Sequence, residues 1–323
     1  MGEKLKSMFE RLDSRFDVLT QVLEAVHLGS VLSSRTELRA PWALHFGETG
    51  RRAGFHVVAS GKCWASVDST GEHVALGPGD VVVFPHGTGH TLGDHPATPA
   101  VEFGELVDGL SPGDRVTLAY GGSGDPTSLL CGSYSFAADG ANPLLRGLPH
   151  VLHVPADQTR GGALEAAVHL LAAEVGGIDS GSALVVDRLV DLLFVYALRT
   201  WLSQQDDASV RSWFGALRDP VVGPAIQAVH DDPAHAWTVE ALARRSGLSR
   251  AAFVRRFRQA VGEPPLAYVT RWRMTTAADL LEQGERIASV AHQVGYDNEF
   301  AFAKAFKRVR GVAPGQLRPR HAR

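Results

Sequence analysis

Residues 238–265 read TVEALARRSGLSRAAFVRRFRQAVGEPP, and residues 286–314 read RIASVAHQVGYDNEFAFAKAFKRVRGVAP. The two stretches are the same pattern about 48 residues apart, with one residue inserted in the second. Val239, Leu242, Ala243 and Gly247 match Ile287, Val290, Ala291 and Gly295; Phe253, Phe257, Gly262 and Pro265 match Phe302, Phe306, Gly311 and Pro314. Each copy predicts a short helix, a glycine turn and a second helix, because glycine takes the backbone shape that lets two helices cross steeply. Ser249, and Asp297 or Asn298, stand where a side-chain oxygen is wanted to cap the second helix.

Phenylalanines four apart seat each second helix on a core and leave its opposite face polar. That face carries Arg250, Arg255 and Arg258 in the first copy, and Lys304, Lys307 and Arg308 in the second. The net charge of −3 conceals an asymmetry: residues 219–323 carry 16 Lys/Arg against 10 Asp/Glu, and the remainder carries 16 against 25. A basic module joined to an acidic one suggests a polyanion partner for one end only. A helix of this kind can hold phosphates with its basic flanks while its N-terminal half faces base edges.

The last ~105 residues resemble the DNA-binding domain of the AraC/XylS transcription regulators, most closely along GYDNEFAFAKAFKRVRGVAPGQLR. The resemblance implies two helix-turn-helix units, 238–262 and 286–311, joined by a long helix at roughly 265–283. Both second helices would enter successive major grooves on one face of double-stranded DNA. By motif position the DNA-facing residues would be Arg250, Ala251, Val254, Arg255 and Arg258, then Glu299, Phe300, Ala303, Lys304 and Lys307. Arg255 is the expected guanine reader, since a guanidinium can bond two acceptors of that base. Ala251, Phe300 and Ala303 could make only apolar contacts, such as to a thymine methyl. Family membership further implies a homodimer working with RNA polymerase, more commonly as an activator.

Upstream the period changes to short β runs broken by Gly, Pro and Asp: WALHF, GFHVVA, CWASV, HVAL, DVVVF and AVEFGEL between Trp42 and Val107. These predict an antiparallel sandwich or barrel. A Gly/Pro/Ser-rich loop at 109–127 precedes another strand at 128–136. Within GPGDVVVFPHGTGHTL (77–92), Gly79, Pro85, Gly87 and His90 fit the second cupin motif at every spacing. The segment therefore resembles the cupin sensor domains of AraC-type regulators. Metal-dependent cupins also carry His-x-His in their first motif, whereas here His56 is followed by Val58. The candidate metal or ligand residues are His56, His86, His90, Cys63 and Cys131, a set suited to Zn²⁺ or another transition metal. The competing reading makes His56 and His90 two hydrogen-bonded barrel residues. The layout around Leu130-Cys131-Gly132 resembles the branch of the family that includes a reactive-chlorine-responsive regulator. Cys131 is thus either an oxidisable thiol or a small buried residue.

The remaining segments complete a multidomain chain: a cupin-like antiparallel β-barrel plus helices, then an all-α domain with two helix-turn-helix motifs. Residues 1–30 form an amphipathic helix with a heptad seam from Leu5 to Val26, and 31–155 the sensor barrel. Residues 156–212 form a helical dimerisation and linker region, and 219–323 the DNA-binding domain. No apolar run approaches the ~20 residues of a membrane helix, no cleavable signal leads the chain, and two cysteines make no disulfide scaffold. A reduced, cytoplasmic protein is expected, with no membrane partner and no enzymatic activity. It would answer a small ligand, metal or oxidant through its barrel; the rival is a cupin metalloenzyme fused to a DNA-binding domain.

Overall fold

The computed structural model describes residue 18 and residues 28–50, 52–108, 116–136, 147–175, 180–204 and 213–317. Apart from residue 18, the N-terminal heptad segment lies outside these, as does the polar linker at 205–212. The described residues fall into two compact units, one within 28–137 and 148–205 and the other from 206 onward, which also takes residues 18 and 147.

The first unit is two facing sheets. Its strands are β1 (Leu28–Arg39), β2 (Ala43–Phe46), β3 (Arg52–Ser60), β4 (Cys63–Val67), β5 (His73–Leu76), β6 (Val81–Phe84), β7 (His90–Gly93), β8 (Val101–Glu102), β9 (Val116–Gly121), β10 (Pro126–Phe136) and β11 (Leu152–Val154). Six of them run in the order β11-β6-β3-β10-β1-β9, and five in the order β5-β4-β7-β2-β8. Alternation along each strand sends one set of side chains between the sheets. Leu38, Val58, Val82, Phe84 and Leu129 from one sheet meet Leu44, Ala65, Val67, Leu76 and Leu92 from the other.

Four local expectations fail here. β1 begins at Leu28, so a helix to residue 30 is excluded at its end. Sequence patterning misses β1 because its inward positions Ser34 and Thr36 are buried hydroxyls, bonded to each other at 3.1 Å, rather than apolar residues. β9 occupies part of the expected 109–127 loop, and AVEFGEL is strand only at Val101–Glu102 before the short helix α1 (Phe103–Leu106). The sheets are also not purely antiparallel: β1 pairs with β9, and β2 with β8, in parallel.

The outer face of the six-stranded sheet is covered by helix. After α2 (Ala163–Val175), the helix α3 (Ser182–Ser203) lays Val186, Val190, Leu193, Phe194 and Ala197 into buried positions. The Tyr134 hydroxyl donates to the Val190 carbonyl at 3.1 Å, and its ring meets Phe194 at 4.9 Å. This explains why β6, Val81–Phe84, is buried on both faces and reads as an unbroken apolar run.

The second unit is helical: α4 (Trp213–Arg218), α5 (Gly223–Asp231), α6 (Val239–Arg245), α7 (Arg250–Val261), α8 (Pro265–Glu282), α9 (Ile287–Gln293) and α10 (Glu299–Arg310). Gly247 and Gly295 turn the chain between paired helices at φ +64° and +78°. Phe253, Phe257, Phe302 and Phe306 are fully buried. The latter two pack on Met274, Ala277, Ala278 and Leu281 of α8, and truncating such a ring costs about 3–5 kcal/mol.

Candidate nucleic-acid interface and barrel cavity

In the helical unit, caps and packing fix the second helix of each pair. The Ser249 hydroxyl accepts from the Ala252 N–H at 3.3 Å, and the Asn298 side-chain oxygen accepts from the Ala301 N–H at 2.8 Å. Of the two candidates at the second cap, Asn298 is the one used. With the phenylalanines turned inward, Arg250, Ala251, Arg255 and Arg258 of α7 are exposed, as are Glu299, Phe300, Lys304 and Lys307 of α10; Val254 and Ala303 are half-buried. Phe300 is 81% exposed, a large apolar ring on a helix start with no core to enter.

The basic residues divide into two sets. Arg256 Nη2 stands 2.8 Å from Asp219, whose carboxylate also accepts from the Val221 and Val222 N–H groups. Arg271 pairs with Glu263, and Arg273 donates to the carbonyls of Pro233, His235 and Gly295. These guanidiniums, with buried Arg310, hold the domain together, a division that residue counting cannot make. Arg255, Arg258, Lys304 and Lys307 have no ion-pair partner among the described residues, while Arg250 meets Glu240 at 3.1 Å on the surface.

In the barrel, the period-2 alternation turns His56 of β3 inward, and His90 of β7 faces it from the other sheet. Their Nε2 atoms are 2.8 Å apart, and both residues are buried. His90 Nδ1 lies 2.9 Å from the Thr88 carbonyl oxygen, a pure acceptor, so Nδ1 carries the proton. His90 Nε2 is then the lone pair that accepts from the His56 Nε2–H. By elimination His56 Nδ1 is a second lone pair, and it is buried without a partner. Burial pushes the His56 imidazolium well below its ordinary range, with His90 adding to the effect, and burial pushes His90 down to about 4 despite the Thr88 carbonyl. The pair is neutral at neutral pH.

The other candidates are not brought together with this pair as metal ligands. His86 turns to the Leu148 carbonyl at 3.0 Å. Cys63 sits in the apolar core between the sheets, and Cys131 lines the histidine cavity with its thiol held by Thr36 and Ser34. Burial pushes both thiols up to about 12, which opposes a reactive thiolate. Two imidazoles on a tetrahedral zinc, each about 2.0–2.1 Å from it, stand roughly 3.3 Å apart. Here they are hydrogen-bonded to each other, and the described residues contain no group of three His, Cys, Asp or Glu placed to hold a metal. The donor set does not fit a metal centre.

What it does border is a partly open cavity of about 260 Å³ lined by Phe46, Gly54, His56, His90, Phe103 and Gly132. Phe84 stacks on His90 at 3.6 Å, His90 on Phe46 at 5.0 Å, and Phe46 on Phe103 at 4.8 Å. Sequence reading located the two histidines; it missed this column of rings, whose members come from four separate elements.

A cupin barrel with an internal cavity, on the same chain as a duplicated helix-turn-helix, defines a two-domain transcription factor. The chain belongs to the AraC-type transcription regulators. The cupin family matches residues 17–203, and a helix-turn-helix domain family matches residues 242–320. An AraC-like transcription regulator of Streptomyces lividans is 35% identical over 94% of this chain and 98% of its own. The RCS-specific HTH-type transcriptional activator RclR of Escherichia coli K12 is 30% identical over 78% of this chain and 79% of its own. Among solved structures, the DNA-binding domain of AdpA in complex with a target DNA is 31% identical, covering 30% of this chain and 88% of that one, with a TM-score of 0.29. Among the described residues no helix is long and apolar enough to cross a membrane.

Proposed function

We propose that this chain is a sequence-specific DNA-binding regulator that acts without turnover, as a homodimer, with the barrel cavity as its effector site. The observation that carries the DNA reading is the division of each second helix. One face is pinned by fully buried phenylalanines, and the other offers exposed side chains, several of them cations without an ion-pair partner among the described residues. Arg255 reads guanine, Ala251, Phe300 and Ala303 contact base methyls, and Arg258, Lys304 and Lys307 hold phosphates. Leu184, Val185 and Leu192, exposed on α3 although apolar, support pairing of two chains through this helix. Activation through RNA polymerase rests on family resemblance alone.

The test is operator selection followed by titration of Arg255→Ala. Loss of about 1–3 kcal/mol, with one base position relaxed, supports the assignment. Unchanged binding to every sequence would place the first recognition helix in the wrong orientation.

A further inference from the structure

The barrel cavity is specific about what it can accept. Its size comes first: a 150 Å³ apolar cavity holds benzene, so about 260 Å³ has room for one aromatic ring with small substituents. Its walls come second. Phe84, His90, Phe46 and Phe103 form a continuous stack, of which Phe46, His90 and Phe103 face the cavity. Stacked and edge-on contact with such a column favours a flat π-system.

Third is the hydrogen-bond inventory of the only buried polar pair bordering the cavity among the described residues. Both N–H groups of the neutral pair are committed, one to the Thr88 carbonyl and one between the rings. One lone pair, His56 Nδ1, remains without a partner. The pair can therefore accept a hydrogen bond but has none to donate. His56 lines the cavity, and its buried acceptor without a donor costs free energy that an O–H or N–H able to reach it removes. A carboxylate offers no donor and finds no cation at the pair; Arg52, on the cavity border, is exposed.

The approach to the pair is kept open by one residue. A Cβ on Gly54 would lie 3.1 Å from His90 Cε1 and 3.9 Å from His56 Nε2, in the space over the paired rings. From size, ring column, lone acceptor and this gap we infer that the cavity binds a single-ring aromatic molecule, uncharged and carrying a hydrogen-bond donor, of the phenol or aniline class. This inference rests on the barrel being the effector site.

The experiment is calorimetric titration of the full-length protein with phenol, anisole and benzoate, each on wild type and on Gly54→Ala, with operator binding of every preparation measured alongside. Anisole keeps the ring and removes the donor; benzoate keeps the ring and replaces the donor with a charge. Expected is saturable phenol binding, at least tenfold weaker binding of anisole and of benzoate, and at least tenfold loss of phenol affinity in Gly54→Ala with operator binding intact. Should the variant not fold, the phenol-to-anisole ratio on wild type decides alone. Equal affinity for phenol and anisole, tighter benzoate, undiminished phenol binding in a folded Gly54→Ala, or no binding of any probe would each overturn the inference. Operator binding by the same wild-type preparation separates such a failure from failure of the regulator reading, in which DNA binding itself would be missing.

Discussion

Arg256 and Arg258 lie two residues apart on α7, and the structure gives them opposite jobs. Arg256 is tied to Asp219 at 2.8 Å within the domain, and Arg258 is exposed with no partner among the described residues. Replacing each with alanine should therefore separate folding from DNA contact. Each phosphate contact contributes about −0.9 to the slope of log K against log salt. If three to five of Arg250, Arg258, Lys304, Lys307 and Arg308 reach phosphates, the slope lies between about −2.7 and −4.5. Affinity should then fall roughly 40- to 500-fold between 50 and 200 mM salt. Arg258→Ala should shallow the slope by about 0.9 and weaken binding by about 1 kcal/mol near physiological salt. Arg256→Ala should leave the slope unchanged and cost about 0.2–1 kcal/mol of unfolding free energy, since Asp219 keeps its two backbone donors. Fluorescence anisotropy with a labelled operator over five salt concentrations, with denaturant melts of each variant, reads both quantities. A slope change in Arg256→Ala equal to that in Arg258→Ala would refute the division of the basic residues.

Acid should unfold the helical unit partly through His230, buried against Trp272 at 3.8 Å and pushed by burial, then by Arg271, down to about 3. Against ~6.5 when unfolded, the folded state binds fewer protons, so stability present above pH 6.5 is lost as pH falls, about 2 kcal/mol by pH 5. His230→Phe should flatten that fall by about this amount in denaturant melts followed by tryptophan fluorescence, and an unchanged pH profile would contradict it. Asn298→Ala removes the cap of α10 and should cost about 0.5–2 kcal/mol of unfolding free energy, with weaker operator binding following from the frayed helix start. Thiol labelling of the native protein at pH 7.5 should be on the order of 1,000-fold slower than in denaturant for Cys63 and Cys131, and fast native labelling of Cys131 would restore it as a sensor.

The helical unit was legible almost residue by residue, because its contacts are local and repeated. Caps and glycine turns lie within a few residues of what they fix, and the paired phenylalanines mark the inward face of their own helix. The barrel was legible as strands but not in its closure. β1 pairs across about a hundred residues with β10, and beside Leu38 it offers the hydroxyls of Ser34 and Thr36 to the interior. Likewise the spacing around His90 identified that histidine, while its partner's tautomer depends on the Thr88 carbonyl, a backbone atom no motif encodes. The metal expectation lies beyond sequence for the same reason: ligand types can be read from a sequence, but whether two imidazoles bind a cation or each other is decided by their separation.

The place of β1 between two strands made later has a consequence for synthesis. The strand sits between β10 and β9, so it leaves the ribosome before the other described strands and waits for partners made about a hundred residues later. At about 5–20 residues per second, that delay is on the order of 5–20 seconds. An apolar strand of twelve residues would spend that time as an aggregation template. LGSVLSSRTELR, with its serines and charges, stays soluble unpaired, so the polarity that hides this strand from pattern reading also protects the nascent chain.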